Sequence, residues 1–325
     1  MSEVLTRNNN KYSSSLQKLI GLIILSICAV YIYKKFSAPE NYNELKELFS
    51  SWFTDGTGMI YLLLVLAMSF ANWLTEAIKW QYLLKAILPI KILRSVSSVL
   101  TGLAITIIIP YRIGSFVGRV WHFPKDKRYE GAIASIYGGL AQLFVTVVLG
   151  LWALILGHHY LTDLPLNYIS IFAGILLLLV SFVYFFPSLF ISLLKKKIPI
   201  KDLAKAFEIL RQYSLKQKLS VVALSVVRYI IFLLQYFLLL KIFNSNLSLV
   251  EVFLPIALVF FILSVMPTLL FGIGLRETAA LIILGPVISS EASILVSSLI
   301  LWIVNMILPS IAGAIIFMVN KKSRI

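Results

Sequence analysis

The sequence predicts an all-α polytopic membrane protein with about six full transmembrane helices. Two Pro- or Gly-broken re-entrant hairpins are expected between them in an inverted-repeat arrangement, with both termini cytoplasmic. Three observations carry this prediction. Of the 325 residues 60% are hydrophobic and only 13% charged, whereas a soluble domain runs nearer half apolar with about a quarter charged. The 29 Lys and Arg outnumber the 14 Asp and Glu, for a net charge of +15, yet the basic residues fall in short clusters between long apolar runs. That punctuation is the pattern of cytoplasmic loops in a multi-pass protein, so the charge reports topology and no nucleic-acid partner is expected. Finally, two apolar stretches are interrupted part-way, in matching positions of the two halves.

The first apolar run, residues 16 to 33, is short but closed by Lys18 and by Lys34 and Lys35, whose stems can snorkel to the interface. It comes late and lacks a small-residue cleavage pattern, so residues 1–33 are expected to be a retained N-terminal anchor and not a signal peptide. Five longer runs, 59 to 78, 132 to 157, 166 to 193, 219 to 243 and 291 to 319, each meet the roughly 20 apolar residues that cross a hydrocarbon core of about 30 Å. The single cysteine, Cys28, excludes an intramolecular disulfide.

One broken stretch runs from Val96 to Ile109, stops at Pro110 and resumes from Ile113 to Phe123. The other runs from Val252 to Met266, stops at Pro267, passes Gly272 and Gly274, and resumes from Thr278 to Leu284. Fourteen or fifteen helical residues rise only about 21 to 23 Å, too little to cross, so both read as hairpins that dip to mid-membrane and return. Placing the N-terminus, 79–95, the first hairpin, 124–131, 195–218 and the tail in the cytoplasm gathers 23 of the 29 basic residues on one side. The first hairpin then enters from the cytoplasm and the second from outside. Residues 59–157 form a first half, 166–193 a connecting helix, 195–218 a basic cytoplasmic segment and 219–320 an inverted second half. Within the basic segment, Leu203, Phe207 and Leu210 share one face of a helix wheel while Lys201, Lys205 and Arg211 lie elsewhere. That pattern fits either a short helix on the inner leaflet or a solvated connector.

An ionisable side chain facing lipid costs about 2.5 to 3.5 kcal/mol on insertion scales, so each one inside an apolar run requires a reason. In the first hairpin Pro110-Tyr111-Arg112-Ile113-Gly114-Ser115 leads to Arg119. In the second, Gly272-Ile273-Gly274-Leu275-Arg276-Glu277 follows the break. Glycine permits a sharp turn, and a helix restarting there offers free backbone N–H groups and a partial positive charge. Arginine meets phosphate through two parallel hydrogen bonds. Arg112, Gly114, Arg119, Gly272, Gly274, Arg276 and Glu277 are therefore the candidate substrate-binding residues, set against a plainer reading as interfacial or packing groups. Arg228, inside the run 219 to 243, joins them. Asn72, Glu76 and Lys79 share a helix face, and Glu76 and Lys79 are spaced to pair with each other.

No Walker loop, H-E-x-x-H or G-x-S-x-G pattern occurs. Asp55, Asp126, Asp163 and Asp202 are isolated, and His122, His158 and His159 show no ligand spacing. Neither a catalytic residue nor a metal or other cofactor is expected.

The two hairpin motifs resemble the transmembrane region of the bacterial lysylphosphatidylglycerol synthase and flippase family. That family's pattern is an apolar helix ending in P-x-R-x-G-E with an Arg shortly after, followed later by G-x-G-x-R-E. The likeness extends in layout over about residues 15 to 320 and does not include the aminoacyl-transferase domain that the synthases carry. Ser115 stands where the family usually has Glu. The resemblance implies a flippase-like protein of the bacterial cytoplasmic (inner) membrane, moving an anionic or zwitterionic phospholipid or a lipid-linked intermediate between leaflets. Arg112, Arg119 and Arg276 would hold the phosphate while Glu277 exchanges partners. Two other classes remain, a membrane-embedded lipid-modifying enzyme of the polyprenyl-phosphate glycosyltransferase type and a non-transporting envelope scaffold. A second copy of the chain and an envelope-biosynthesis enzyme are the two protein partners compatible with this reading.

The topology is tested by cysteine labelling. In a Cys28→Ser background, cysteines at Tyr160 and Ser248 are expected to react with an impermeant thiol reagent in intact cells, and cysteines at Ser214 and Ser323 to stay unlabelled. External labelling at Ser214 would overturn the assignment.

Overall fold

The computed structural model describes residues 56–107, 109, 113–121, 123–157, 166–194, 206–244, 246–265 and 275–319, together with Ile23, Ser26 and Val30. These are helical almost throughout, with no strand among them. Five helices are long and apolar enough to cross a membrane: Thr57–Leu84, Lys125–Leu156, Tyr168–Phe185, Leu215–Phe243 and Glu291–Val319. The chain is a multi-pass, all-α membrane protein. Of the expected first helix only Ile23, Ser26 and Val30 are described, all helical and exposed; the rest of 16 to 33 lies outside the described residues.

Helix α1 (Thr57–Leu84) is followed by α2 (Ile92–Thr106) and the short α3 (Ile113–Arg119), then α4 (Arg128–Leu156). The expected connecting helix 166 to 193 is broken in two, α5 (Leu166–Phe185) and α6 (Pro187–Leu194), because Pro187 restricts the residue before it. The second half comprises α7 (Leu215–Phe243), α8 (Leu249–Val265), α9 (Leu275–Leu284) and a last span in three pieces. Those pieces are α10 (Glu291–Trp302), a π segment Ile303–Ile307 and α11 (Leu308–Val319). Serine caps open two of the spans. Ser214 accepts from the Gln217 N–H at 3.2 Å and Ser290 from the Ser293 N–H at 3.2 Å, each satisfying a donor that a helix start leaves unpaired.

In the first hairpin α2 and α3 run antiparallel and almost touch. A Cβ on Gly114 would stand 2.6 Å from the Ile105 carbonyl oxygen, and one on Gly118 would stand 2.7 Å from the Gly102 Cα. In the second, α8 packs on α9, the turn between them lying outside the described residues. The two halves then exchange partners reciprocally. The first arm of one hairpin, α2, packs on α11 of the other half, while the equivalent arm α8 packs on α4. The corresponding spans α1 and α7 pack on each other and run antiparallel, since Gln235 reaches Val65 and Arg228 reaches Asn72, while Tyr213 reaches Leu83. Equivalent helices of opposite direction make an inverted repeat about a pseudo-two-fold axis. The shift in sequence that carries Ser69 onto Arg228 also carries Glu76 onto Gln235, and both cross pairs, Ser69 with Gln235 and Glu76 with Arg228, are bonded.

Apolar packing falls into two main bodies. One gathers Ala77, Trp80, Ile133, Ala141, Leu210 and Val221, and the other Val65, Val145, Leu233, Ile256 and Ile300. The boundary between them crosses α1, α4 and α7 part-way along each helix. The basic segment is docked at the end of the first body. Ala206, Ile209 and Leu210 are buried there, and the Tyr213 hydroxyl donates to the Leu83 carbonyl at 3.1 Å. Burial pushes the Tyr213 phenol well above its ordinary pKa, so it remains a donor.

Close backbone approach sets the stability of this packing. A Cβ on Gly313 would collide with the Leu100 carbonyl, whereas one on Gly139 would meet nothing within 4 Å. Gly118→Ala and Gly313→Ala are expected to destabilise by about 1 to 3 kcal/mol through overpacking, read as lower melting temperatures in detergent. Gly139→Ala should be neutral or stabilising by up to about 1 kcal/mol.

Candidate functional site

Four polar residues of α1, Ser69, Asn72, Glu76 and Lys79, recur at helical spacing and so form one stripe along it. All four are buried, Glu76 being 5% and Lys79 1% exposed. At 1.5 Å per residue Glu76 stands about 12 Å along the helix from Leu84, within the candidate membrane-spanning helix Thr57–Leu84. Its carboxylate is met by three cations from three elements. Lys79 Nζ, on α1 itself, lies 2.8 Å from Oε2; Arg119 Nη2, at the end of α3, lies 2.8 Å from Oε1; Arg228 Nη1, in α7, lies 2.6 Å from Oε2. The Arg228 Nε also donates to Asn72 Oδ1 at 2.7 Å, and Lys79 Nζ donates to Ser225 Oγ at 3.5 Å. Aromatic faces cover the arginines, Arg119 over Trp80 and Arg228 over Phe232, each 5.5 Å from the ring centroid. Both carboxylate oxygens are therefore occupied, and the first hairpin is tied to the crossing of α1 and α7.

From this cluster a neutral chain leads into the second half. Asn72 Nδ2 donates to Asn305 Oδ1 at 3.0 Å, and Asn305 Nδ2 donates to Gln235 Oε1 at 3.1 Å. Gln235 Nε2 in turn donates to Ser69 Oγ at 2.6 Å and to the Val65 carbonyl at 3.0 Å. Asn305 occupies the π segment, and its place follows from Pro309. A proline at that position has no N–H for the Asn305 carbonyl, and Leu308 bonds instead to Ile303, five residues back. The wider turn aims Asn305 between α1 and α7. Single π turns of this kind recur at functional sites.

The second hairpin supplies another arginine–carboxylate pair. Arg276 Nη2 and Glu277 Oε1 are 2.7 Å apart, and the Arg276 guanidinium lies 5.3 Å from the ring centroid of Trp302, one turn before Asn305. In both hairpins, then, an arginine on the second arm is paired with a carboxylate and stacked on tryptophan. In both, the arginine Nε is buried with no hydrogen-bond partner among the described residues.

Of the candidates named from sequence, the structure brings Arg119 and Arg228 together on Glu76 and pairs Arg276 with Glu277. Gly114 is buried where α3 presses on α2. Arg112, Gly272 and Gly274 lie outside the described residues, as do the three histidines. Among the described residues no group of three metal-ligating side chains occurs. Sequence reasoning named Asn72, Glu76 and Lys79 but did not reach Gln235 or Asn305. Their only signal is a lone amide in the middle of an apolar span.

Residues 18–313 match the family model for the lysylphosphatidylglycerol synthase TM region. The chain belongs to this family. A search of curated proteins finds no match. Family membership gives the protein a membrane, lipid-related function. The carboxylate that Arg119 meets is Glu76 of α1, so a serine at position 115 of the first hairpin does not leave that arginine unpaired.

Proposed function

We propose that the protein moves a phosphate-bearing lipid, or a lipid-linked intermediate, between the leaflets of the bacterial inner membrane. The observation that carries this reading is the polar seam from Lys79 to Ser69, which extends about 15 Å along α1 between two apolar bodies and holds more positive than negative charge. A headgroup crossing the membrane needs hydrogen-bond partners and counter-charge at each depth, while its acyl chains stay in lipid. Arg119 and Arg228 lie toward one end of the seam and Arg276 toward the other, with Asn72, Asn305 and Gln235 between them. Glu76 and Glu277 act as resident counter-ions that hold the arginines between passages and release them to an arriving phosphate. The hairpins supply the moving parts, rocking within the bundle to open the seam to each leaflet in turn.

The chemistry on offer is recognition. Guanidinium groups and amides bind and orient phosphate, and the carboxylate at the centre of the cluster, Glu76, has both oxygens held by cations and so is not free to act as base or nucleophile. We therefore read the protein as a transporter and not as a lipid-modifying enzyme.

Purified protein in vesicles containing fluorescent phospholipids, with and without a nucleotide sugar, tests this. Wild type is expected to move the lipids between leaflets faster than protein-free vesicles and to transfer no sugar. Arg119→Lys and Arg228→Lys keep charge but lose the planar fork, and should slow movement by about tenfold or more at normal abundance. Wild-type movement no faster than in empty vesicles, or sugar-dependent product formation, would contradict the proposal.

A further inference from the structure

Counting charge at the Glu76 cluster narrows the substrate class. Lys79, Arg119 and Arg228 all lie within 2.8 Å of one carboxylate, so among the described residues the cluster carries a surplus of two positive charges. Lys79 and Arg119 are 1% and 8% exposed. Water does little to offset charge at such burial, and an uncompensated buried ion is costly. The cluster nevertheless keeps three cations, and the buried Arg119 Nε has no partner among the described residues. The Arg228 side chain, 20% exposed, leaves a way in. These features together describe a site prepared for an anion.

The size of the surplus says which anion. A phosphodiester headgroup brings one negative charge and two terminal oxygens, and would leave one of the three cations uncompensated. A phosphomonoester above its second ionisation, or a diphosphate, brings at least two charges, and the terminal group of either presents three oxygens to three donors. We infer that the Glu76 cluster is a binding site for a phosphomonoester or terminal diphosphate headgroup carrying at least two negative charges, in preference to the singly charged phosphodiester of ordinary phospholipids. This rests on the reading that the seam receives lipid headgroups, and it names the class of lipid.

The test is binding to the full chain in detergent, measured by calorimetry with short-chain phosphatidic acid, short-chain phosphatidylglycerol and inorganic phosphate as probes. At about pH 7, above the second phosphomonoester pKa of about 6, phosphatidic acid is expected to bind about tenfold more tightly than phosphatidylglycerol. At about pH 5 the monoester carries a single charge while arginine and lysine remain cationic, so the preference should vanish. Arg228→Gln removes one charge of the surplus and should cut the pH 7 preference to within about threefold. Lys79→Gln makes the same prediction should Arg228→Gln fail to fold, and the wild-type pH dependence decides the matter if neither folds. Equal affinities at pH 7, or a preference that survives at pH 5, would overturn the inference. Inorganic phosphate binding as tightly as phosphatidic acid would make this a free-anion site and overturn the lipid assignment. A pH-dependent preference without lipid movement in vesicles would uphold the inference and overturn the transport reading. Movement without a preference would do the reverse.

Discussion

One carboxylate at membrane depth, Glu76, is the constraint on which the arrangement depends. Its three cations come from its own helix, from the end of the second arm of the first hairpin and from the opposite half of the repeat. No single helix could carry any of these charges into the apolar interior at low cost. Placed around one carboxylate they become tolerable, and the condition fixes how the helices sit. α7 must cross α1 antiparallel at the level of Arg228, and α3 must fold back far enough to bring Arg119 to the same point. The glycines that let α2 and α3 approach so closely serve this placement, because a bulkier hairpin would hold Arg119 away from Glu76.

The inverted repeat gives this constraint its functional sense. The pseudo-two-fold axis relates the Glu76–Arg228 bond to the Ser69–Gln235 bond, so one crossing of equivalent helices is charged on one side and neutral on the other. A charge-rich end and an amide-lined end follow from a single geometry and two different pairs of side chains. Each hairpin keeps the same local device, an arginine paired with a carboxylate over a tryptophan face. On the proposed transport reading, near-symmetry in backbone with asymmetry in charge suits a path whose headgroup is held firmly at one depth and handed on at another.

Much of the fold was legible in the sequence, because apolar length and basic punctuation report directly on how a chain meets a bilayer. The breaks at Pro110 and Pro267 predict two hairpins; the arms of the first run antiparallel and those of the second pack together, while both prolines lie outside the described residues. What was not legible depends on contacts between distant segments. Glu76 and Lys79 could be paired from their spacing, but nothing local announces that Arg228 completes the cluster, since that needs the antiparallel register of α1 and α7. Gln235 and Asn305 were missed because a single amide in an apolar span has no pattern of its own, and the π turn that aims Asn305 comes from Pro309 four residues later. The sequence pattern of the basic segment fits a leaflet-bound helix or a solvated connector, whereas its described part is held by Ile209, Leu210 and Tyr213 in the core. The break before Pro187 was visible as a proline, but the strong hydrophobicity on both sides outweighed it.

A double-mutant cycle in stability between Glu76→Gln and Arg228→Gln, measured by reversible unfolding in detergent, tests most directly whether this carboxylate joins the two halves. If it does, Glu76→Gln leaves three cations without their carboxylate and is strongly destabilising, by about 3 to 5 kcal/mol, whereas Arg228→Gln removes one of the three cations and costs less. The double change should then be less harmful than the sum of the two, with a coupling of about 2 kcal/mol or more. Additivity to within about 0.5 kcal/mol would show that Glu76 and Arg228 do not act on each other, and would contradict the Glu76 cluster as the organising centre of the protein.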